Sequence, residues 1–178
     1  MRKNDILVII SSPRKNSNST FAALKLAENI NKEYNVIDIN KFFLKPCTGC
    51  FKCTRKLKCN IRDDFDEIMI HIKNAKVIIV ASPIYFTGVP GQLKIFIDRN
   101  QQQWEKYKRG YYKKLKKVGY IILTSGSNNK KYFKPAESEI KSFFVVNGIR
   151  CKKIFRFGNM DIPGKMKERK YIKELKIF

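Results

Sequence analysis

The chain has 178 residues, 43% of them apolar, and carries 38 basic against 15 acidic residues, a formal charge of +23. That length buries a core without staples, and the apolar share excludes a disordered chain. No apolar run approaches the roughly 18 residues that span a bilayer, and Met1-Arg2-Lys3-Asn4-Asp5 enters a short apolar run with no small-residue cleavage site. A cytoplasmic protein of one domain, 1–178, away from membranes, is the expectation.

In chain order, Ile6 to Ile10 is a continuous apolar run, as in a strand covered on both faces. The polar loop Ser11 to Asn18 leads into a helix with Phe21, Leu24, Ala27 and Ile30 at helical spacing. Val36 to Ile39 reads as a second strand. After a cysteine-rich insertion at 45–62, Asp63 or Asp64 caps a helix bearing Phe65, Ile68, Met69 and Ile72. Val77 to Ala81 is the next buried strand, Gly91 to Asn100 a helix and Val118 to Thr124 a strand. Pro135 to Asn147 is a helix closed by Gly148, a last strand lies within Cys151 to Phe157, and Lys165 to Leu175 ends the chain as a helix. Five strands separated by helices imply an α/β fold, a mostly parallel sheet with helices on both faces.

The excess charge invites a nucleic-acid reading. The basic residues are 29 Lys to 9 Arg, scattered from Arg2 to Lys176, and the densest run is Lys106 to Lys117 around Tyr107, Tyr111 and Tyr112. Scatter favours a solvated surface over a patch for nucleic acid or another acidic partner. An electropositive surface suits anionic substrates such as nicotinamide dinucleotides.

In such a sheet, ligands bind beyond the carboxyl ends of the strands, where the winding switches direction. Ser11 to Thr20 follows the first strand. It lacks the P-loop and dinucleotide glycine spacings, but its hydroxyls, amides, Arg14 and Lys15 open onto a helix N-terminus, which suits a phosphate monoester. An ordinary helix cap is the competing account. Ala81 to Gly91 follows the third strand, with Tyr85 and Phe86 as a wall for a flat ring and Gly88 and Gly91 letting backbone approach its polar edge. Thr124 to Asn129 supplies small polar groups after the fourth.

The order Ser12-Pro13-Arg14-Lys15-Asn16-Ser17-Asn18, the cysteines with Asp63-Asp64, Ser82-Pro83-Ile84-Tyr85-Phe86, Pro90-Gly91-Gln92-Leu93-Lys94 and Asp98-Arg99 resembles the flavodoxin-like NADPH-dependent FMN reductases. It looks closest to their iron–sulfur flavoprotein branch. The resemblance covers roughly residues 5–150, and the C-terminal 25 or so residues match nothing usable. It implies a flavodoxin-like, doubly wound, five-stranded parallel sheet in the order 2-1-3-4-5. It implies FMN, with its phosphate at Ser12, Arg14, Ser17, Asn18 and Ser19. The isoalloxazine would lie against Pro83, Ile84, Tyr85, Phe86, Thr87 and Gly88, with Thr124, Ser125 and Gly126 closing the site. A homodimer or homotetramer is implied as well, because in that family the cysteine loop reaches a neighbouring subunit's flavin. Ser11 departs from the family's usual Gly.

Cys47, Cys50, Cys53 and Cys59 stand at C-x2-C-x2-C-x5-C. Three thiols at steps of three on a short loop, with a fourth further along, suit a [4Fe–4S] cluster. Structural zinc uses two knuckles further apart, and metal-free redox thiols remain the other alternative. A reducing compartment disfavours disulfides. Cys151, on a strand, reads as a small buried hydrophobe.

Hydrolytic chemistry has little support. His71 is the only histidine and falls on an amphipathic helix, and no nucleophile elbow is present. Asp63-Asp64 reads as a cap, and Asp98-Arg99 as a structural ion pair or dimer contact. The expected function is an FMN-dependent oxidoreductase moving electrons between NAD(P)H, or a reduced ferredoxin-like carrier, and an acceptor. A cluster-free NAD(P)H:FMN or quinone reductase is the near alternative, and a basic nucleic-acid-binding module the distant one.

Overall fold

The computed structural model describes residues 5–31, 33–111 and 116–176. Residues 1–4 of the leader reading, and Tyr112, Lys113 and Lys114 of the basic run, lie outside the described residues.

Five parallel strands run in the order β2-β1-β3-β4-β5, as the resemblance implied. They are β1 (Ile6–Ile10), β2 (Asn35–Asp38), β3 (Val77–Pro83), β4 (Lys117–Thr124) and β5 (Ile149–Phe157). Their apolar residues alternate between two cores, as the period-two geometry of a strand requires. Leu7, Ile9, Ile78, Val80, Ile121 and Leu123 face one side, covered by α3 (Phe65–Asn74), α4 (Gly91–Asp98) and α6 (Lys134–Val146). Ile6, Val8, Ile79, Ala81, Tyr120 and Ile122 face the other, covered by Ala22, Ala23, Leu26 and Ala27 of α1 (Asn18–Ile30) and by Met166 and Leu175 of the C-terminal segment. Strands buried on both faces have no polar side to show, which is why they read as unbroken apolar runs. The register of β4 with β5 shifts between Gly119 and Tyr120. A Cβ on Gly119 would overlap the Phe144 ring and Ile149, so the helix packs directly on the sheet there.

Some elements differ from the expectation. The helix from Gly91 stops at Asp98, and a separate α5 (Gln101–Lys108) follows. Asn100 makes the break. Its amide donates to Phe96 O at 2.8 Å and accepts from the Asn147 amide at 3.0 Å, a buried pair that pins α5 to α6. Within the cysteine insertion, Lys52–Lys56 forms α2 between two left-handed residues, Phe51 and Leu57. The last helix shrinks to α7 (Arg169–Glu174), preceded by a 3-10 turn at Lys165–Lys167. Ile39, expected to end β2, instead begins a 3-10 turn. Among the described residues no helix is long and apolar enough to cross a membrane.

Candidate functional site

The switch point of this sheet lies between β1 and β3, so the loops after β1, β3 and β4 converge at its mouth. Ser11 N and Oγ both donate to Ala81 O at 3.2 Å, so the side chain standing where a glycine was expected ties the first loop to β3 instead of crowding the cavity. Ser12 Oγ accepts from Arg14 N at 3.3 Å, and Ser17 Oγ caps α1 by accepting from Thr20 N at 3.3 Å. Buried Ser19 meets Ser17 Oγ at 2.9 Å, which spends its hydroxyl on the cap. The first turn of α1 holds no acidic residue, so its N–H end keeps its positive character for an anion.

Asn18 does something sequence reasoning missed. Its amide donates to Met160 O at 3.0 Å and Ile162 O at 2.8 Å, and accepts from Met166 N at 3.0 Å. With the side chain so engaged, what Asn18 has left for an anion is its main-chain N–H at the start of the helix.

After β3, Ile84 N donates to Thr124 O at 2.8 Å, locking the second loop to the third. Tyr85 and Gly88 exchange two 3.0 Å backbone bonds around a tight turn. The left-handed residues in that turn are Phe86 (φ 46°) and Thr87 (φ 67°). Backbone freedom was expected at Gly88 and Gly91, yet neither adopts a positive φ. A two-residue turn of type I′ needs both central positions left-handed, whatever residues fill them. Phe86 and Thr87 therefore hold strain of order 1–3 kcal/mol each, a pattern that gathers at ligand clamps. Phe86 is fully exposed.

These loops enclose a cavity of about 170 Å³. Ser12, Arg14, Ser17, Asn18, Pro83, Ile84, Tyr85, Thr124, Ser125 and Gly126 line it. Ser19, Phe86, Thr87 and Gly88 stand just outside. Asn16, Met160, Asp161 and Pro163 line it as well. The last three come from the loop after β5, whose polar Gly158-Asn159 turn was the one signal for them. Larger grooves, about 470 and 450 Å³, run beside Trp104 away from the strand ends. The smaller cavity is the one where loops, helix N-terminus and Arg14 meet.

The cysteine loop is closed at its base by one buried ion pair. Arg99, 2% exposed, forks onto both carboxylate oxygens of Asp63 and donates to Lys45 O at 2.9 Å. Asp63 also accepts from Lys45 N at 2.8 Å and Phe65 N at 3.2 Å, so it ties the start of the loop to the first turn of α3, whose N-cap, Asp64, makes no side-chain cap bond. Burial works against the Asp63 charge, but Arg99 and these two N–H groups win and hold its pKa below the usual carboxylate range. Asp98 pairs with Lys94 at 2.7 Å, so Asp98-Arg99 is not a pair in itself.

Cys47 and Cys50 are exposed, and Cys53 and Cys59 half-buried, all as free thiols. Cys59 N donates to Gln102 Oε1 at 2.9 Å, anchoring the fourth cysteine on α5. The Lys52 N–H pulls the Cys50 thiol pKa down despite slight desolvation, whereas burial pushes Cys53 up, with Cys59, Glu105 and Cys47 close enough to add to it. Among the described residues no three Cys, His, Asp or Glu side chains converge on a single-ion site. Four thiols on one short loop, three of them within electrostatic reach, fit an iron–sulfur group in donor chemistry. Cys151 is half-buried against the core, and its thiol is pushed up by burial. His71 is exposed on α3.

Comparison with known proteins agrees with this geometry. A profile of the NADPH-dependent FMN reductases matches residues 4–153. An iron–sulfur flavoprotein of Archaeoglobus fulgidus is 40% identical over 94 residues, 51% of this chain and 43% of that protein. One from Methanocaldococcus jannaschii is 33% identical over 147 residues, 81% of this chain and 73% of that one. The chain thus spans from under half to about three quarters of the length of these relatives. Among solved structures, an FMN-dependent NADH-azoreductase from Bacillus anthracis in complex with FMN superposes with a TM-score of 0.67 at 16% identity, covering 96% of this chain and 95% of that one. That likeness establishes a shared fold. With the loops after β1, β3 and β4 gathered at one sheet mouth, the chain belongs to the NADPH-dependent FMN reductase family.

Proposed function

We propose that the cavity at the carboxyl ends of β1, β3 and β4 is the FMN site of an iron–sulfur flavoprotein. The observation that carries this reading is the meeting of α1's N-terminus, Arg14, the Tyr85 turn and the Thr124–Gly126 loop around one cavity. At about 170 Å³ it is smaller than sites that enclose a whole ligand, so it takes the phosphorylated end, with the ring lying out against Pro83–Gly88. Arg14 and the first-turn N–H groups neutralise the phosphate, Ser12 and Ser17 add hydroxyls, and Pro83, Ile84 and Tyr85 exclude water from one face of the ring. When bound, FMN supplies the electron-accepting chemistry, which is why no acid/base side chain is called for. The donor is a nicotinamide dinucleotide or a reduced ferredoxin-like carrier, for which the +23 chain is electrostatically suited.

Cys47, Cys50, Cys53 and Cys59 would hold a [4Fe–4S] cluster, which supplies one-electron chemistry. Their spacing and the relatives called iron–sulfur flavoproteins support this. The chain is proposed to work as a homodimer or homotetramer in the cytoplasm, where reducing conditions disfavour disulfides and leave Cys47, Cys50, Cys53 and Cys59 available to the cluster. A second reading, a cluster-free NAD(P)H:FMN or quinone reductase, is favoured by the exposure of Cys47 and Cys50.

The two readings separate on protein purified without oxygen. We expect flavin bands over broad iron–sulfur absorption, with about four irons per chain. Flavin bands with no iron, even after reconstitution with iron and sulfide, would leave the second reading. A colourless protein that takes up no flavin would end both.

A further inference from the structure

The cavity has a side that the three strand-end loops do not supply. Residues 158–166 return across its mouth from the end of β5, beyond the 4–153 stretch that carries the family likeness. Ser125 N donates to Phe157 O and Met160 N to Ser125 O, both at 2.9 Å, so the segment leaves the sheet tied to the loop after β4. Asn159 turns it with a left-handed φ of 57°. The Asn18 amide then grips the carbonyls of Met160 and Ile162 at 3.0 and 2.8 Å. The residue between those two carbonyls is Asp161, and its side chain lines the cavity. A Cβ on residue 126 would overlap the Asp161 carboxylate, so that group lies directly against Gly126 of the third loop.

A carboxylate is an odd neighbour for a phosphate. It repels a dianion, and when ionised it accepts hydrogen bonds and donates none. FMN offers such an acceptor only its ribityl hydroxyls and its one ring N–H, and riboflavin carries both. Building on the flavin reading above, we propose that Asp161 is a further ligand-binding residue whose carboxylate accepts a hydrogen bond from the uncharged, donor-bearing part of the flavin. The phosphate is then held at the Arg14 side of the cavity, and Asp161 fixes which way round the ligand lies. Asn18 acts through it, as the positioning residue that holds residues 160–162 against the N-terminus of α1.

The test compares FMN with riboflavin on flavin-free protein by fluorescence quenching. Asp161 is exposed, so Asp161→Ala should leave the thermal midpoint in place. It should weaken FMN and riboflavin by the same factor, about tenfold. Asp161→Asn keeps a carbonyl acceptor and should lose less. Lumiflavin, which retains the ring N–H without the ribityl chain, locates the partner: an equal loss puts it on the ring, no loss on the chain. Tighter FMN binding with riboflavin unchanged would mean the carboxylate faces the phosphate, and would overturn the proposal. Unchanged binding of both flavins would overturn it too. Wild-type protein that binds neither flavin would defeat the flavin reading and this inference together, whereas wild-type binding with an indifferent variant defeats this inference alone.

Discussion

Arg99→Met is expected to cost the fold about 3–5 kcal/mol, seen as a lower urea midpoint, because it strands the buried Asp63 carboxylate without its cation. Both side chains are 1% exposed, so solvent screens little of the interaction. Arg99 also lies 4.9 Å over the Phe65 ring and donates to Lys45 O, so packing at the base of the cysteine loop goes with the charge. The double variant Arg99→Met/Asp63→Asn should recover part of the loss, because the uncompensated charge is then gone. Asp63→Asn keeps one oxygen acceptor but puts an NH2 donor in place of the other, so one of Lys45 N and Phe65 N loses its partner and recovery is incomplete.

The pH dependence has a sign. In the wild type the folded-state pKa of Asp63 is lowered, so its contribution is fully present above the ordinary carboxylate pKa near 3.9 and is lost as pH falls through the lower folded value. In Arg99→Met, burial without the cation pushes that pKa upward instead. The gap between variant and wild type should therefore narrow as pH falls through the acid range. A gap that stays constant or widens between neutral pH and pH 3 would show that the ion pair is not what holds the loop base.

Arg14→Ala is expected to weaken FMN about 10- to 100-fold while leaving riboflavin binding and unfolding unchanged. Arg14 lines the cavity, is exposed, and takes no part in the salt bridges among the described residues. Its loss thus removes a charge-assisted contact to phosphate, of order 1.5–3 kcal/mol, and little else. The pattern is the reverse of the one expected for Asp161, where both flavins weaken together. An equal loss for FMN and riboflavin in Arg14→Ala would mean that Arg14 supports the cavity instead of binding the phosphate.

The sheet was legible because strands covered on both faces must be apolar throughout, and Ile6–Ile10 and Val77–Ala81 have no other use for such runs. Helix α5 was not. Its sequence, QQQWEKYK, has no apolar stripe, and what fixes it is the long-range Asn100–Asn147 amide pair. The three loops at the switch point were legible from topology, since each follows a strand. The left-handed Phe86 and Thr87 were hidden, because no glycine marks them. Asn18 was expected at the phosphate because the family resemblance placed it there, and its side-chain partners were not legible. Its actual partners lie more than 140 positions away, a separation that local pattern does not register. Asp161 was missed for the same reason.

Titration of flavin-free protein with FMN tests the central assignment most directly. Saturation at one FMN per chain, with the flavin fluorescence altered on binding and Arg14→Ala shifting only the affinity, is the result expected here. Protein that remains folded yet takes up no FMN at any accessible concentration would contradict it.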